Sequence, residues 1–404
     1  MTDRDRDMAK AVYIMNTGCQ RRGLDASRLV GYFRSNACHI TQDCSKADVI
    51  VLTTCGFFGP KEDRSMAAIK ELARHKGRLV VLGCLSGTSP HRLKEEYHGE
   101  FLSPKDYDQI DSLFPEFTVK FKDIPDSNFQ YMAPAAPAAP KGVVARVGMW
   151  ARSSLGAARR GLRALTRTSG NRTACLRIAT GCLGNCSYCV IRNATGRLKS
   201  KPVEACLAEY VRLLDRGYRR FVFQGEDTGA YGLDIGSSLP ELFSRLSEAD
   251  KGLPVCWSIF TLNPQWLVRY RAELLDYIRA GKLVCLEIDV QAASERVLDL
   301  MNRKYDVAEV AAIIAESKKA NPDVKIHLQV IVGFPSETED DFEQTLRFIQ
   351  ETRVDSLQAF QYTDMEETAA SNLADKVPEQ VKERRCSDLR DLRQRQGLHP
   401  PSWE

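Results

Sequence analysis

The apolar positions of this 404-residue chain form short runs that alternate with longer amphipathic segments. Three runs lie near the start, at 11–19, 49–55 and 78–84, and each of them ends in a cysteine. Between the last two, residues 61–76 carry apolar side chains at helical spacing, which predicts an amphipathic helix. Buried strands that alternate with helices are typical of a parallel sheet covered on both faces. The pattern therefore predicts an α/β fold that begins with a flavodoxin-like parallel-sheet domain over residues 11–126.

The same alternation resumes from residue 174. Six further apolar runs are strand candidates, and they lie at 176–180, 219–225, 254–260, 283–290, 325–334 and 355–362. Helical patterns lie between them, for example at 202–217 and 338–352. Six strand–helix units are too few for a closed barrel of eight units. We therefore expect an open six-unit (β/α) barrel over residues 174–370, with a helical tail at 371–404.

Residues 127–173 have a different composition. The stretch 133–142 is rich in Pro and Ala, which is typical of a stiff, extended linker. From Ser127 to Val203 there is no Asp or Glu, but there are thirteen Lys or Arg. The basic stretch is either a solvated linker or an arm that docks on phosphates, and its residues leave both interpretations open.

Composition and charge favour an intracellular enzyme. The first ten residues are charged and contain no apolar core, so we expect no signal peptide. No apolar stretch approaches the roughly 20 residues that span a bilayer, so no membrane association is expected. Thirteen cysteines without an export signal indicate a reducing compartment, and hence a cytoplasmic location. The net charge of +4 is too small to indicate a nucleic-acid partner by itself.

Cys182, Cys186 and Cys189 form a C-x-x-x-C-x-x-C motif directly after an apolar run. Three thiolates at this spacing can bind three irons of a four-iron cluster and leave the fourth iron open to a ligand. A zinc site is the first alternative, but such sites usually pair two C-x-x-C units or add histidines, and no histidine lies near this loop. Three structural thiols are the second alternative.

Cys19, Cys55 and Cys84 form a second group. Each follows a small residue at the end of an apolar run. Strand ends of a parallel sheet share one edge, so the three thiols are expected to converge there and to hold a second cluster. A single cysteine at such a place is usually a small core residue. The other seven cysteines show no such pattern and are interpreted as packing or incidental thiols: Cys38, Cys44, Cys175, Cys206, Cys256, Cys285 and Cys386.

These motifs resemble the methylthiotransferases of the radical S-adenosylmethionine superfamily over residues 11 to about 390. Further motifs agree in order, namely TGRLKSKP (195–202), GEDTGAYG (225–232), VQAASERVLDLMNRKY (290–305) and IVGFPSETEDDF (331–342). The resemblance implies that Cys182, Cys186 and Cys189 hold the radical-generating 4Fe–4S cluster. It also implies that Cys19, Cys55 and Cys84 hold an auxiliary 4Fe–4S cluster. S-adenosylmethionine is the implied cofactor, and a reducing electron donor is an implied partner.

The resemblance also implies a set of cofactor contacts. Asp227 is expected to meet the ammonium of the methionine moiety, beside Gln224 and Gly225, although a tight turn also explains the glycine. The other expected contacts are Tyr188 in the cluster loop, Gln291 and Ser294 at the sugar end, and Gly333 and Phe334 at the adenine. The turn after Phe334 has an ordinary structural alternative, in which Ser336 caps the following helix.

Within the family, the motifs most resemble the branch that methylthiolates threonylcarbamoyladenosine in tRNA, beside the anticodon. The chain departs from the usual family residues at Arg22, Asp289, Ala293 and Glu367. We also expect it to lack the β-barrel RNA-binding domain that most tRNA-modifying members carry. The expected reaction is insertion of a methylthio group at an unreactive carbon, with tRNA as the first candidate substrate and a peptide or small natural product as the alternative.

Two other classes of protein are alternatives to a methylthiotransferase. A cobalamin-dependent radical methylase also places an α/β domain before the barrel, but it typically carries a D-x-H-x-x-G loop that this sequence lacks. A non-catalytic iron–sulfur RNA-binding protein would have no use for the GEDTGAYG and GFPSET motifs.

Overall fold

The computed structural model describes residues 10–131 and 172–398. Most of the basic segment predicted at 127–173 lies outside these residues, as does the end of the C-terminal tail. The first described region contains five strands: β1 (Ala11–Asn16), β2 (His39–Ile40), β3 (Val49–Thr54), β4 (Arg78–Gly83) and β5 (Glu100–Leu102). Its helices are α1 (Gln20–Ser35), α2 (Gly59–Leu72), α3 (Leu85–Thr88), α4 (Pro90–Glu96) and α5 (Ile110–Leu113).

The first sheet is parallel and has the order β2-β1-β3-β4-β5. This is the flavodoxin-like order, as the apolar runs predict. Successive residues of β1 face opposite sides of the sheet, so Ile14 packs into one apolar layer and Tyr13 into the other. Helices cover both faces, and the core therefore lies in two layers.

The second region contains a six-stranded parallel sheet. Its strands are β6 (Thr173–Arg177), β9 (Arg220–Gln224), β10 (Cys256–Leu262), β11 (Leu283–Gln291), β12 (Lys325–Val332) and β13 (Ser356–Gln361). They lie in the order β6-β9-β10-β11-β12-β13, so β6 and β13 are opposite edges. A parallel sheet wound in one direction with unpaired edges is an open barrel, which confirms the predicted fold class.

Helices surround this sheet and cover a single large core. They are α6 (Ile191–Thr195), α7 (Val203–Asp215), α8 (Leu239–Ala249), α9 (Pro264–Arg269), α10 (Arg271–Arg279), α11 (Glu295–Leu300), α12 (Val307–Ala320), α13 (Glu339–Glu351) and α14 (Glu379–Arg395). Trp257 on β10 is fully buried at the centre of the core. Across the described parts of the chain, the structure contains no helix with the length and apolarity that a membrane span requires.

The apolar run at 176–180 is divided in the structure. After β6 ends at Arg177, residues 179–180 form β7 (Ala179–Thr180), which pairs antiparallel with β8 (Lys199–Ser200). The chain then turns at Gly181 with φ +72°, where a side-chain Cβ would lie 2.1 Å from the carbonyl oxygen of Arg197. Only glycine fits this close approach, and the turn directs the following cysteine loop away from the sheet.

Candidate active site

A cavity of about 960 Å³ lies where the two sheets face each other. Residues from both regions line it, including the ends of β1, β3, β9, β11 and β13. Of the thirteen cysteines, all of which lie in the described ranges, only six line this cavity, namely Cys19, Cys55, Cys84, Cys182, Cys186 and Cys189. The two groups singled out by sequence spacing therefore share one space.

The first group converges because of the strand order. Cys19 follows β1 and precedes α1, and Cys55 follows β3, so they flank the point where the order of the sheet reverses. Such a switch point is where open α/β sheets bind ligands. Cys84 follows β4 and begins the short helix α3. Ser65 supports this arrangement, because its hydroxyl accepts a hydrogen bond from the Cys55 amide at 3.1 Å.

The loop that carries the second group is tied to the barrel. The Ser187 amide donates to the carbonyl of Met301 at 3.0 Å, and the Ser187 hydroxyl donates to Leu300 at 2.7 Å. The Asn302 side chain donates to the carbonyl of Asn185 at 2.8 Å. Because these bonds hold the loop from the barrel side, its three thiols remain free to face the cavity.

Two donors point at the sulfur atoms of this loop. The Gly184 amide lies 3.1 Å from Sγ of Cys182, and Nη1 of Arg303 lies 3.6 Å from Sγ of Cys186. Hydrogen bonds from N–H groups stabilise thiolate sulfur and tune a cluster that the sulfur ligates. The arrangement fits the donor chemistry of an iron–sulfur site.

In the absence of a cation, the protein environment disfavours the ionised, thiolate form of most of these cysteines. Burial and the charge of Cys19 raise the pKa of Cys55 to about 11. Burial raises the pKa of Cys84 to about 12, although the Arg22 charge opposes the shift. Burial and then the charge of Cys186 raise the pKa of Cys189 to about 11. Grouped thiolates become favourable when a positively charged metal core replaces their protons.

Cys19 differs from its neighbours, because the two arginines that follow it are close. Desolvation by the surrounding protein opposes ionisation, but the charges of Arg21 and Arg22 and their backbone amides lower the pKa of Cys19 below its ordinary value.

Within residues 10–131 and 172–398, no three Cys, His, Asp or Glu side chains converge closely enough to hold a single metal ion. A cubic 4Fe–4S cluster does not need such convergence, because each cysteine binds a different iron.

Asp227 lies beside the cysteine loop, with Oδ2 3.9 Å from Sγ of Cys182. The indole N–H of Trp266 donates to its two oxygens at 2.9 and 3.1 Å. Burial raises the pKa of Asp227 to about 6, against the lowering effects of Trp266 and the Arg303 charge. This places one oriented carboxyl group next to the first cysteine of the motif.

Two predicted contact residues carry buried polar atoms that lack partners among the described residues. These atoms are Oε1 of Gln224 and Oε1 of Gln291, and both side chains line the cavity. Gln291 also has φ +68°, and Thr261 on the same wall has φ +56°. Unsatisfied buried polar atoms and left-handed non-glycine residues cluster at ligand sites. Both observations fit a polar ligand in the cavity.

Of the remaining predicted contacts, Tyr188 belongs to the cavity lining and the other four do not. Tyr188 lines the cavity, and the Gly225 carbonyl accepts from Thr261 at 2.8 Å. Ser294 caps α11 and donates to Asp341 at 2.5 Å. The Gly333 amide donates to Glu337 at 2.6 Å, and Phe334 is fully buried against Tyr188 and Tyr362. None of Gly225, Ser294, Gly333 and Phe334, all of them described, belongs to the lining, so their contact with a cofactor stays a prediction.

Sequence reasoning did not assign a role to several charged residues of the cavity wall. Arg303 is buried, and it donates to Tyr188 at 3.4 Å, to Asn263 at 3.2 Å and to the carbonyl of Asp289. Burial, followed by the charge of Asp289, raises the pKa of Glu287 to about 8. The period-two alternation of β11, LVCLEIDVQ, puts Glu287 and Asp289 on one face, whereas Gln291 follows a register shift after Ile288. That alternation is the sequence signal that could have identified the acidic residues of β11 as part of the cavity wall.

Comparison with protein families gives two matches that together cover both regions. Residues 176–349 match the family model described as Radical SAM superfamily. Residues 11–102 match the model described as Uncharacterized protein family UPF0004.

Curated relatives match almost the whole chain. It is 31% identical over 403 residues to ribosomal protein uS12 methylthiotransferase RimO of Geotalea uraniireducens, covering 94% of this chain and 80% of the relative. It is 30% identical over 395 residues to the same protein of Citrifermentans bemidjiense, with 94% and 80% coverage. The expected tRNA branch is not supported, because these relatives are named for a ribosomal protein.

A solved structure shares the fold. The radical S-adenosylmethionine methyltransferase TsrM from Kitasatospora setae has a TM-score of 0.58 and 13% identity, over 89% of this chain and 77% of that chain. At this identity the likeness concerns the architecture alone.

Proposed function

The chain belongs to the radical S-adenosylmethionine methylthiotransferase family, and from that premise we propose that it methylthiolates a carbon of a protein side chain. The protein is an enzyme, and 4Fe–4S clusters and S-adenosylmethionine are its cofactors. The first substrate to test is ribosomal protein uS12, because the relatives are named for it.

One observation carries the proposal: of the thirteen cysteines, the six that line the cavity are the two groups of three. We assign Cys182, Cys186 and Cys189 to the cluster that leaves one iron open for S-adenosylmethionine. We assign Cys19, Cys55 and Cys84 to the auxiliary cluster. A shared cavity suits a reaction in which one substrate carbon has to meet both centres.

When bound, the clusters and S-adenosylmethionine supply the hydrogen-abstracting radical and the methylthio group, so that the substrate carbon exchanges a hydrogen for methylthio. The side chains of the protein orient the bound cofactors and surround the site of reaction. Asp227 would accept a hydrogen bond from the cofactor ammonium, and the Gly184 amide and Arg303 donate to the sulfurs of Cys182 and Cys186. The rings of Phe57, Phe58 and Phe360 pack edge-to-face with centroids 5.5–5.8 Å apart and give the cavity an apolar patch.

Charge in the cavity favours a protein substrate over RNA. The lining contains six Lys or Arg, namely Arg21, Arg22, Lys61, Arg64, Arg192 and Arg303, and it contains five Asp or Glu, namely Glu226, Asp227, Glu287, Asp289 and Glu367. Recognition of an RNA backbone relies on an excess of positive charge that neutralises several phosphates. The described lining instead mixes residues of both signs, which suits the mixed polarity of a peptide segment.

The substrate assignment is tested by incubating reconstituted enzyme, S-adenosylmethionine and a one-electron reductant with uS12 or with total tRNA, both from a host that lacks this gene. We expect mass spectrometry to find a hydrogen replaced by methylthio in a uS12 peptide, with 5′-deoxyadenosine formed in step. Reaction mixtures without reductant are the control. A methylthiolated adenosine in the tRNA, with unmodified uS12, would reverse the assignment.

Asp227→Asn is expected to weaken S-adenosylmethionine binding by about 1–3 kcal/mol, because a charged hydrogen bond to the cofactor ammonium is lost. Isothermal titration of the reconstituted variant gives the affinity, and its iron content should equal that of the wild type. Asp276→Asn on the exposed face of α10 is a matched control, since Asp276 pairs only with Arg279 on its own helix. An unaltered cofactor affinity in Asp227→Asn would remove this carboxylate from the site.

A further inference from the structure

The first turn of α1 joins the two halves of the active site. This turn begins directly after Cys19, and its side chains lie against the segment that follows β9. The Gln224 amide donates to Gln20 at 2.6 Å, and Nη1 of Arg21 donates to the Gly225 carbonyl at 3.1 Å. The segment that ends in Asp227 is therefore held from the other region of the protein.

Arg22 forms the most buried of these links. Its Nη2 lies 3.3 Å from Oε1 of Glu226, and its Nη1 lies 3.0 Å from Oδ2 of Asp25. Arg177, at the end of β6, pairs with the other oxygen of Asp25 at 2.6 Å. The side chains of Arg22, Asp25 and Glu226 are at most 4% exposed. Water therefore screens the ion pairs weakly.

Glu226 extends the link to the other cysteine loop. Its second oxygen, Oε2, accepts a hydrogen bond from the Gly181 amide at 2.9 Å. Gly181 directly precedes Cys182. A continuous path of covalent and polar contacts thus runs from Cys19 through Arg22 and Glu226 to Cys182.

We propose that Arg22, acting through Glu226, is a positioning residue that sets the distance and orientation between the two cysteine groups. This proposal rests on the proposed function. In that reaction the carbon that loses hydrogen at one centre must reach the methylthio group at the other, so the distance between the two cysteine groups matters. A displacement of about 1 Å at a reacting centre can cost about 100-fold in rate. Loss of the link should therefore separate cofactor cleavage from product formation.

Two substitutions test the link in complementary ways. Arg22→Gln removes the buried charge of Arg22 but leaves Arg21, whose Nε lies 3.6 Å from the same Glu226 oxygen. Glu226→Gln removes the charge from the barrel side while its amide oxygen can still accept from Gly181, so it remains informative if Arg22→Gln folds poorly. Arg28→Gln is the matched control, because Arg28 lies on the same helix and pairs with Asp126 at 3.3 Å without lining the cavity.

The first measurement is the magnetic interaction between the two reduced clusters, observed by electron paramagnetic resonance. The interaction depends steeply on distance and orientation, so we expect it to change in Arg22→Gln and Glu226→Gln and to stay as in the wild type in Arg28→Gln. In the metal-free proteins, hydrogen exchange of the backbone at 181–184 should be faster in the first two variants.

The second measurement is the ratio of methylthiolated product to 5′-deoxyadenosine, which we expect to fall by about 100-fold in both link variants. Arg22→Lys should recover part of it, because the charge returns without the forked geometry of arginine. Wild-type magnetic interaction, hydrogen exchange and product ratio in both link variants would overturn the proposal. If the wild type methylthiolates neither uS12 nor tRNA, the substrate assignment fails, whereas the magnetic and exchange measurements still decide the role of Arg22.

Discussion

Replacing Cys182, Cys186 and Cys189 together by alanine will abolish 5′-deoxyadenosine formation and halve the iron content. The three thiolates are the assigned ligands of the cluster that binds S-adenosylmethionine, and no electron reaches the cofactor without that cluster. After anaerobic reconstitution we expect about eight irons per wild-type chain and about four in the variant. Iron and sulfide assays give the stoichiometry, and chromatography of the reaction mixture gives the nucleoside.

A matched control is the triple alanine variant of Cys44, Cys256 and Cys386, which are half-buried, as Cys182 and Cys186 are, but lie outside the cavity lining. It should retain wild-type iron content and cofactor cleavage. If the Cys182, Cys186 and Cys189 variant still released 5′-deoxyadenosine at the wild-type rate, the assignment of the radical-generating cluster would be wrong.

Replacing Cys19, Cys55 and Cys84 together by alanine will abolish the methylthio product but leave some cofactor cleavage. The iron content should again fall to about four, because the remaining cluster still has its three ligands. The loss of product follows because the sulfur-donating centre is gone, whereas the site around Asp227 and Cys182 is untouched. Parallel assays of product and 5′-deoxyadenosine distinguish this outcome from a general loss of folding.

The same triple alanine control applies here. Retention of all eight irons after loss of Cys19, Cys55 and Cys84 would contradict the auxiliary cluster, and these thiols would then be packing residues. A variant that lost both clusters and all cofactor cleavage would show instead that the two sites fold as a unit. Circular dichroism of the metal-free proteins separates that case from global unfolding, in which the signal of the parallel sheets would be lost.

The sequence predicts the architecture because its cause is local. Apolar runs such as 49–55 and 78–84 become β3 and β4, since short continuous apolar runs between helical patterns are typical of strands buried on both faces of a covered parallel sheet. Among the strands that the apolar pattern did not predict, β2 has 2 residues and β5 has 3. Runs of this length leave no periodicity to detect, and both strands form because a neighbouring strand offers hydrogen-bonding partners.

The reaction class was also readable from local chemistry. The spacing of Cys182, Cys186 and Cys189 lies within one loop, and Cys19, Cys55 and Cys84 mark equivalent strand ends. The substrate was not readable, and the tRNA expectation taken from motifs such as GEDTGAYG is not supported by the curated relatives. Substrate choice depends on cavity charge and shape, which are assembled from many segments, so a short motif carries little of it.

The sequence by itself determined the two α/β regions and the six cysteines, because strand periodicity and ligand spacing are properties of neighbouring residues. Only the tertiary structure decided that both cysteine groups line one cavity, that Ser294 caps a helix outside the lining, and that Arg22 meets Glu226 across the two regions. Arg22 and Glu226 are 204 positions apart. Such contacts depend on how two separately folded sheets pack together, and no local pattern of apolar and polar residues encodes that packing.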